Sequence, residues 1–353
     1  MGFGCALTLS LLFSNEALAW GPLGHRMVAE TAAIILARTE KSPSWGEFLA
    51  RHRFQLGFYS MIPDTVFRKP YKKDDEIEAP THYFDVDIVH LQKIPDDFQE
   101  LRKQVQKVLD LNLPPAHSKI GSAPWRIDQL SRTVRDGLKN TLEIKGGYRA
   151  GVTLTPSQKQ AYDGLLNLGI LSHYTGDATM PYHARSDWNG WKTGQGGVHF
   201  YFENDCVDFL EPGLSTEVLE AALKNRSKWL AKWTNQTILH VAITTFEDSN
   251  QSADELARLD RTHILLAKSD ETKKQNAKRK STAVGCTFLR SLLVERLALA
   301  SVFTEFAWEQ ALPGKTQFDS SDPLQFSDLI LQPNYIAPDY LFGSETSPTT
   351  LHP

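Results

Sequence analysis

The chain has 353 residues, 41% of them hydrophobic and 23% charged, with a formal net charge of −4. That is an ordinary globular balance, and it argues against broad electrostatic capture of nucleic acid or anionic membrane. Length alone allows two domains, but the residues able to bind a metal run from the N-terminal region past residue 200, so any division falls after them.

Met1 to Ala19 reads as a secretory signal peptide: an apolar run from Ala6 to Phe13, then Ala17-Leu18-Ala19 as a small-x-small cleavage site before Trp20. Its first residues, MGFGC, carry no Lys or Arg, which makes the leader atypical. The apolar run is too short to remain as a transmembrane helix, and no later stretch reads as one. The expected product is a soluble secreted or periplasmic protein starting at Trp20, with net charge −3 once Glu16 is removed. An exported chain could pair its two remaining cysteines, Cys206 and Cys286; the sequence leaves that open.

Taken in order, Gly24 to Arg38 predicts a helix with His25 in its first turn. Residues 39 to 95 read as irregular, apart from the short segments IPDTVFR, with Asp64 and Arg68, and APTHYFDVD, with His82, Tyr83 and Asp85. Asp96 to Asn112 is amphipathic, with Phe98, Leu101, Val105, Val108 and Leu109 at helical spacing, and Pro114-Pro115 ends it. A helix is expected from Pro124 to about Ile144. Thr155-Pro156-Ser157-Gln158 then has the form of a capping box opening the next one. A further helix should hold His199 and Glu203 and stop before Pro212-Gly213, with long helices over 214–248 and 281–311. Lys268 to Lys280 reads as a solvated loop, and the tail after Pro313 as a surface wrap or a partly disordered segment. Alternating strands are scarce, so the expected class is mainly α: one multi-helix domain over 20–312 and an irregular tail over 313–353.

The chemistry concentrates in LSHYTGDATMPYHARSD, residues 171–187. On a helix, His173 and Asp177 share a face one turn apart, and imidazole and carboxylate both suit zinc. Pro181 lacks an N–H and should break the helix near Asp177, letting the chain bring His183 back. His199 and Glu203, again i and i+4, follow in GGVHFYFENDCVD. One such pair is ordinarily a surface contact, and a lone His on an apolar face a hydrogen-bonded core residue; two pairs with a third His between them point to metal.

With Trp20, His25, Asp64 and His82 added, the pattern resembles a superfamily of three-zinc phosphoesterases that unites bacterial zinc-dependent phospholipases C with the single-strand-specific nucleases of fungi and plants. The motifs that carry the resemblance lie within residues 20 to 210: a Trp after leader cleavage, a His five residues on, H-Y-x-G-D-x-x-x-P-x-H, then H-x-x-x-E. The resemblance implies a mainly α domain around a trinuclear zinc cleft. Asp64, His82, His173 and Asp177 would bind one zinc, and His183, His199 and Glu203 a second. His25 and the terminal amine and carbonyl of Trp20 would bind the third, with Asp177 bridging two ions. It further implies hydrolysis of a phosphate ester by a water activated on zinc, with Asp64 orienting or deprotonating it and Arg68 as a transition-state cation. Arg68 stands one residue later than the family's Arg, so an exposed structural role is the competing reading.

Two substrates compete. P-Y-H-A at 181–184 and the run from His199 to Asp208 look like the phospholipases, implying release of a phosphorylated headgroup from a phospholipid and transient contact with a membrane surface. WGPLGHRMVAE at 20–30 looks like the nucleases, which implies a single-strand-specific nuclease or 3′-nucleotidase. Tyr83 and Asp85 do not decide between the branches: in a nuclease Tyr83 could stack on a base and Asp85 hydrogen-bond its edge, and in a lipase Tyr83 could line a headgroup pocket by cation–π contact. Phospholipase C is the favoured expectation. A third reading, zinc binding without catalysis, would need a closed ligand shell.

Overall fold

The computed structural model describes residues 20–39, 45–68, 75–89, 91, 93–109, 119–138, 156–267, 270, 272, 275–312 and 335–341. The expected leader, the stretch from 139 to the start of the capping box at Thr155, and most of the tail lie outside these.

Pro22 in the first turn and a run of small and aliphatic residues start and sustain helix α1 (Gly21–Arg38), which buries His25, Val28, Ala29, Ala32 and Leu36. Where irregular chain was expected there are short helices, α2 (Gly46–Arg51), α3 (Arg53–Tyr59) and α4 (Asp75–Glu78), together with a π-helical turn, Pro63–Phe67, and a 3₁₀ turn, Ala79–His82. Segments of four to seven residues complete too few turns to show a helical period. The amphipathic segment forms α5 (Phe98–Leu109), burying Phe98, Leu101 and Val105. The helix expected over 124–144 is α6 (Ala123–Gly137). The capping-box helix is α7 (Pro156–Asp177), ending at Asp177, four residues before Pro181.

His199 and Glu203 lie on a helical turn, Val198–Phe200, and a π-helical turn, Tyr201–Asp205, that lead into α8 (Cys206–Trp233). The expected stop at Pro212-Gly213 is present inside α8: Pro212 takes ψ 92° and Gly213 φ 105°, both non-helical, so two helices meet there at a kink. The helix expected over 214–248 is divided: Asn235 takes φ 63°, and Thr237 caps α9 (Ile238–Arg261) by accepting from His240 N. Lys278–Arg279 pairs antiparallel with Ile264–Leu266, and Arg279 is buried against Asp260 at 2.7 Å, so the Lys268–Lys280 stretch is not solvated throughout. Helix α10 (Thr282–Ala311) is apolar almost all round, and its buried residues include Leu289, Leu293, Leu297, Phe303 and Trp308. It packs against α8, α1 and α7 and forms the middle of a mainly α single domain. No described helix is long and apolar enough to cross a membrane. Of the tail, residues 335–341 lie against the body, with Tyr340 on Phe98 and Tyr335 on Phe67.

Cys206 and Cys286 are disulfide-bonded across a sequence separation of 80, tying the start of α8 to α10. Closing a loop of that length restricts the unfolded chain by roughly 4 kcal/mol. Reduction, or Cys206→Ser with Cys286→Ser, should lower the Tm by about 5 °C; an unchanged thermal midpoint would sink this reading of the bond.

Candidate metal centre

Helix α7 delivers His173 and Asp177 on one face, and both are fully buried. Gly176 between them lets two neighbours approach closely: a Cβ there would sit 3.2 Å from His25 Nδ1, tight enough to shift the ring slightly, and in ordinary contact at 3.5 Å with Trp20 Cδ1. Beyond Asp177 the reversal is pinned from the core. Arg296 Nε donates to Thr179 O at 2.8 Å, and Ser249 Oγ donates to Ala178 O at 2.6 Å. The 3₁₀ turn Pro181–Ala184 then returns His183 to the site, where its Nδ1 meets His82 O at 2.8 Å.

Three sets of side chains converge closely enough to hold a metal ion: His25, Asp64 and His173; His82, His173 and Asp177; His183, His199 and Glu203. His173 belongs to two of them, and Asp177 reaches towards the third: its Oδ1 lies 3.5 Å from His25 Nε2 and 3.9 Å from His183 Nδ1. All eight side chains are buried. Every atom turned inward can act as a ligand, and the distal ring nitrogens of three histidines are already committed. His173 Nδ1 bonds Ser60 O, His183 Nδ1 bonds His82 O and His199 Nδ1 bonds Trp188 O, each at 2.8 Å. Those bonds require the proton on Nδ1, so each Nε2 carries a lone pair inward. The lone pairs of His183 and His199 face each other across 3.0 Å, with Glu203 Oε2 at 2.9 Å from His199 Nε2. Only a shared cation or an added proton relieves such a meeting of acceptors. Asp64 Oδ1 and Asp177 Oδ1 are likewise buried without a hydrogen bond among the described residues.

Electrostatics favour the cation. Burial lowers His82, His173 and His183 well below the ordinary histidine value and takes His199 down to about 4, so the rings stay neutral. Burial pushes Asp64 up to about 8, although Arg68 pulls it down, and carries Asp177 and Glu203 well above the carboxylate range. Carboxyls whose burial favours the protonated form, beside neutral imidazoles, exchange protons for a divalent ion.

Trp20 is fully buried, its indole donating to Gly176 O at 2.7 Å and its main-chain N donating to Glu203 Oε2 at 3.1 Å. Its backbone nitrogen therefore meets the His183–His199–Glu203 group, while His25 meets Asp177 and stacks on the His173 ring at 3.8 Å. Arg68 turns inward, 16% exposed, with Nη1 3.8 Å from Asp64 Oδ1. Asp85 is buried, but Asp87 and Lys192 are its charged neighbours, and it does not join the cluster. Tyr83 is half-buried and lies on Gly121. Sequence reasoning missed Ser60 and Trp188, whose carbonyls orient His173 and His199, Arg296, which pins the reversal after Asp177, and Glu78, which faces His82. Only Glu78 carried a readable signal, the same four-residue spacing to His82 that marks the other pairs.

The chain matches no protein-family model, no curated protein and no solved structure. The geometry supports buried His, Asp and Glu groups able to hold a metal ion.

Proposed function

We propose that the protein is a zinc-dependent phosphodiester hydrolase, acting on phospholipids as a phospholipase C. The observation that carries this is the contiguity of the three buried groups, joined through His173 and Asp177. Their donors are all N and O, which suits zinc, and adjacent ions are an arrangement used for in-line displacement at phosphorus. Three zinc ions are the proposed complement: His173, with a single free ring nitrogen, would serve one ion together with Asp64, His82 and Asp177, while His183, His199 and Glu203 would hold a second and His25 with Trp20 a third. When bound, zinc would lower the pKa of a water and neutralise charge on the phosphoryl oxygens.

The chain's own part centres on Asp64 and Arg68. Asp64 Oδ1 stands 3.8 Å from His173 Nε2 and 3.9 Å from His82 Nδ1, at the edge of the group where a carboxylate oxygen can accept a water proton. Arg68, beside it, supplies a permanent positive charge for a phosphoryl oxygen. The resemblance of the 171–187 and 196–208 motifs to the phospholipases supports the lipid substrate, and the leader-like first residues support export. A single-strand nuclease or 3′-nucleotidase is the second reading. Trp188 favours it: the ring is 42% exposed and 6.0 Å from that of His199, a face on which a base could stack.

Assay of the zinc-loaded protein on phosphatidylcholine micelles and on single-stranded nucleic acid, side by side, separates the readings. Headgroup release supports the first; nucleotide release without lipid cleavage replaces it with the second. Zinc content with turnover of neither leaves a non-catalytic binder. On the active substrate, Asp64→Asn should lower kcat by roughly 10²–10⁴-fold. Asn mimics the protonated carboxyl that the metal-free protein holds up to about pH 8, so the metal-free Tm should stay near that of the parent. His173→Ala should lose metal and stability together. Parental kcat in Asp64→Asn would remove that residue from the reaction.

A further inference from the structure

Three of the site histidines are oriented by backbone carbonyls, as described above, and His82 is not. Its Nδ1 faces the cluster, 2.9 Å from His173 Nε2 and 3.0 Å from Asp177 Oδ2. Its distal Nε2 faces Glu78 Oε1 at 3.7 Å, one helical turn back. That spacing exceeds a hydrogen bond and is within reach of a charge contact. A cation on Nδ1 draws density from the ring and makes Nε2–H a stronger donor towards that carboxylate.

Glu78 is held at three further points. Tyr174 OH donates to Oε1, Tyr335 OH donates to Oε2 at 2.9 Å, and Arg126 Nη2 reaches Oε2 at 3.4 Å. Glu78 and Arg126 are both fully buried. Tyr335 belongs to the C-terminal segment, which is fastened along α6 and α5. Arg126 Nη1 donates to Ile336 O at 2.6 Å, Gln129 Nε2 to Ala337 O at 2.7 Å, and Gln99 Nε2 to Tyr340 O at 2.6 Å. The same Tyr335 ring packs edge-on against Phe67, the last residue of the turn that carries Asp64. One tail residue therefore touches the supports of two candidate ligands.

We propose that Glu78 is the positioning residue for His82, and that residues 335–341 form a clasp which, through Tyr335, holds Glu78 in place. The proposal rests on the metal reading of the site. It extends the functional unit beyond residues 20–210, since a side chain more than 120 residues past Glu203 helps set metal affinity.

The test titrates Zn²⁺ into metal-free full-length protein against a chromogenic chelator, for the parent, Tyr335→Phe and Glu78→Gln, with circular dichroism and Tm recorded metal-free. Tyr335→Phe keeps the ring on Phe67 and removes only the hydroxyl. It should weaken one zinc step by roughly 10-fold, and Glu78→Gln by 10–100-fold. The remaining steps and the helical signal should be unchanged. A role in packing alone would instead lower the metal-free Tm and shift all steps together, which overturns the proposal. Variants that bind zinc as the parent does also overturn it while leaving the metal reading intact. A parent that takes up no zinc overturns both. If Glu78→Gln does not fold, Tyr335→Phe decides.

Discussion

Chelation of the zinc-loaded protein should remove all its bound metal, abolish turnover and lower the Tm by at least about 10 °C. The interior explains the size of the effect. Without a cation, the lone pairs of His183 and His199 face each other across 3.0 Å, and burial disfavours the charged forms of Asp64, Asp177 and Glu203. A single site at a free metal concentration ~1,000 times its Kd adds about 4 kcal/mol to the folded state. For a chain of this size that alone moves the midpoint by roughly 5 °C, and three such sites together move it by more than about 10 °C.

The pH dependence has a definite sign. In the metal-free protein Asp64 keeps its proton to about pH 8, whereas in the unfolded chain it is lost near 3.8. The folded state then binds more protons than the unfolded one, and stability falls as pH rises across that interval. The histidines act oppositely. Neutral when folded and protonated below 6.5 when unfolded, they add stability as pH rises to 6.5 and nothing beyond. Between pH 6.5 and 8 only the carboxyls remain, so the metal-free Tm should decline, and the gap to the zinc-loaded protein should widen because metal replaces protons. Measuring both midpoints at pH 6.5, 7.25 and 8 is sufficient. A constant or narrowing gap would mean the cluster is not where metal binds.

What could be read from the chain follows from the range of the forces involved. His173 with Asp177, and His199 with Glu203, lie one helical turn apart, and Pro181 marks the break between the pairs; spacing and a missing N–H are local properties, visible in sequence. The 30-residue helix α10 was legible for the same reason. The four-residue α4 was not, and the break between α8 and α9 was overrun although Thr237 before Ile238 is an ordinary cap signal. Arg296 was hidden for a different reason. It reaches the Asp177–Pro181 reversal from 117 residues away and acts on a carbonyl, a group every residue carries. Orientation by main-chain oxygens, as for His173 on Ser60, leaves no residue-type signature at all. The disulfide lay between these cases, since two cysteines can be counted but their distance cannot.

The second large effect concerns the chain start. A protein beginning at Trp20 should bind its full metal complement, whereas one beginning at Ala19 should lose one ion and most of its activity. An amide N–H can only donate, as Trp20 N does to Glu203 Oε2 at 3.1 Å. A free terminal amine titrates near 7.7–8.0 and offers a lone pair once deprotonated, and the Trp20 carbonyl can close a five-membered chelate with the same ion. The indole fixes the position: it is buried, bonded to Gly176 O at 2.7 Å, and 5.7 Å from the Phe202 ring. Gly176 stands next to Asp177 and Phe202 next to Glu203, so Trp20 is held between two of the groups able to hold a metal ion. Trp20→Phe should therefore be milder than extension. It removes the indole hydrogen bond, on the order of 1 kcal/mol, and leaves the main-chain ligands intact. Metal analysis and turnover of the three proteins separate the roles. Equal metal content and activity in the extended protein would show that the terminus is not a ligand, and a Trp20→Phe loss larger than that of the extension would make the residue a packing element.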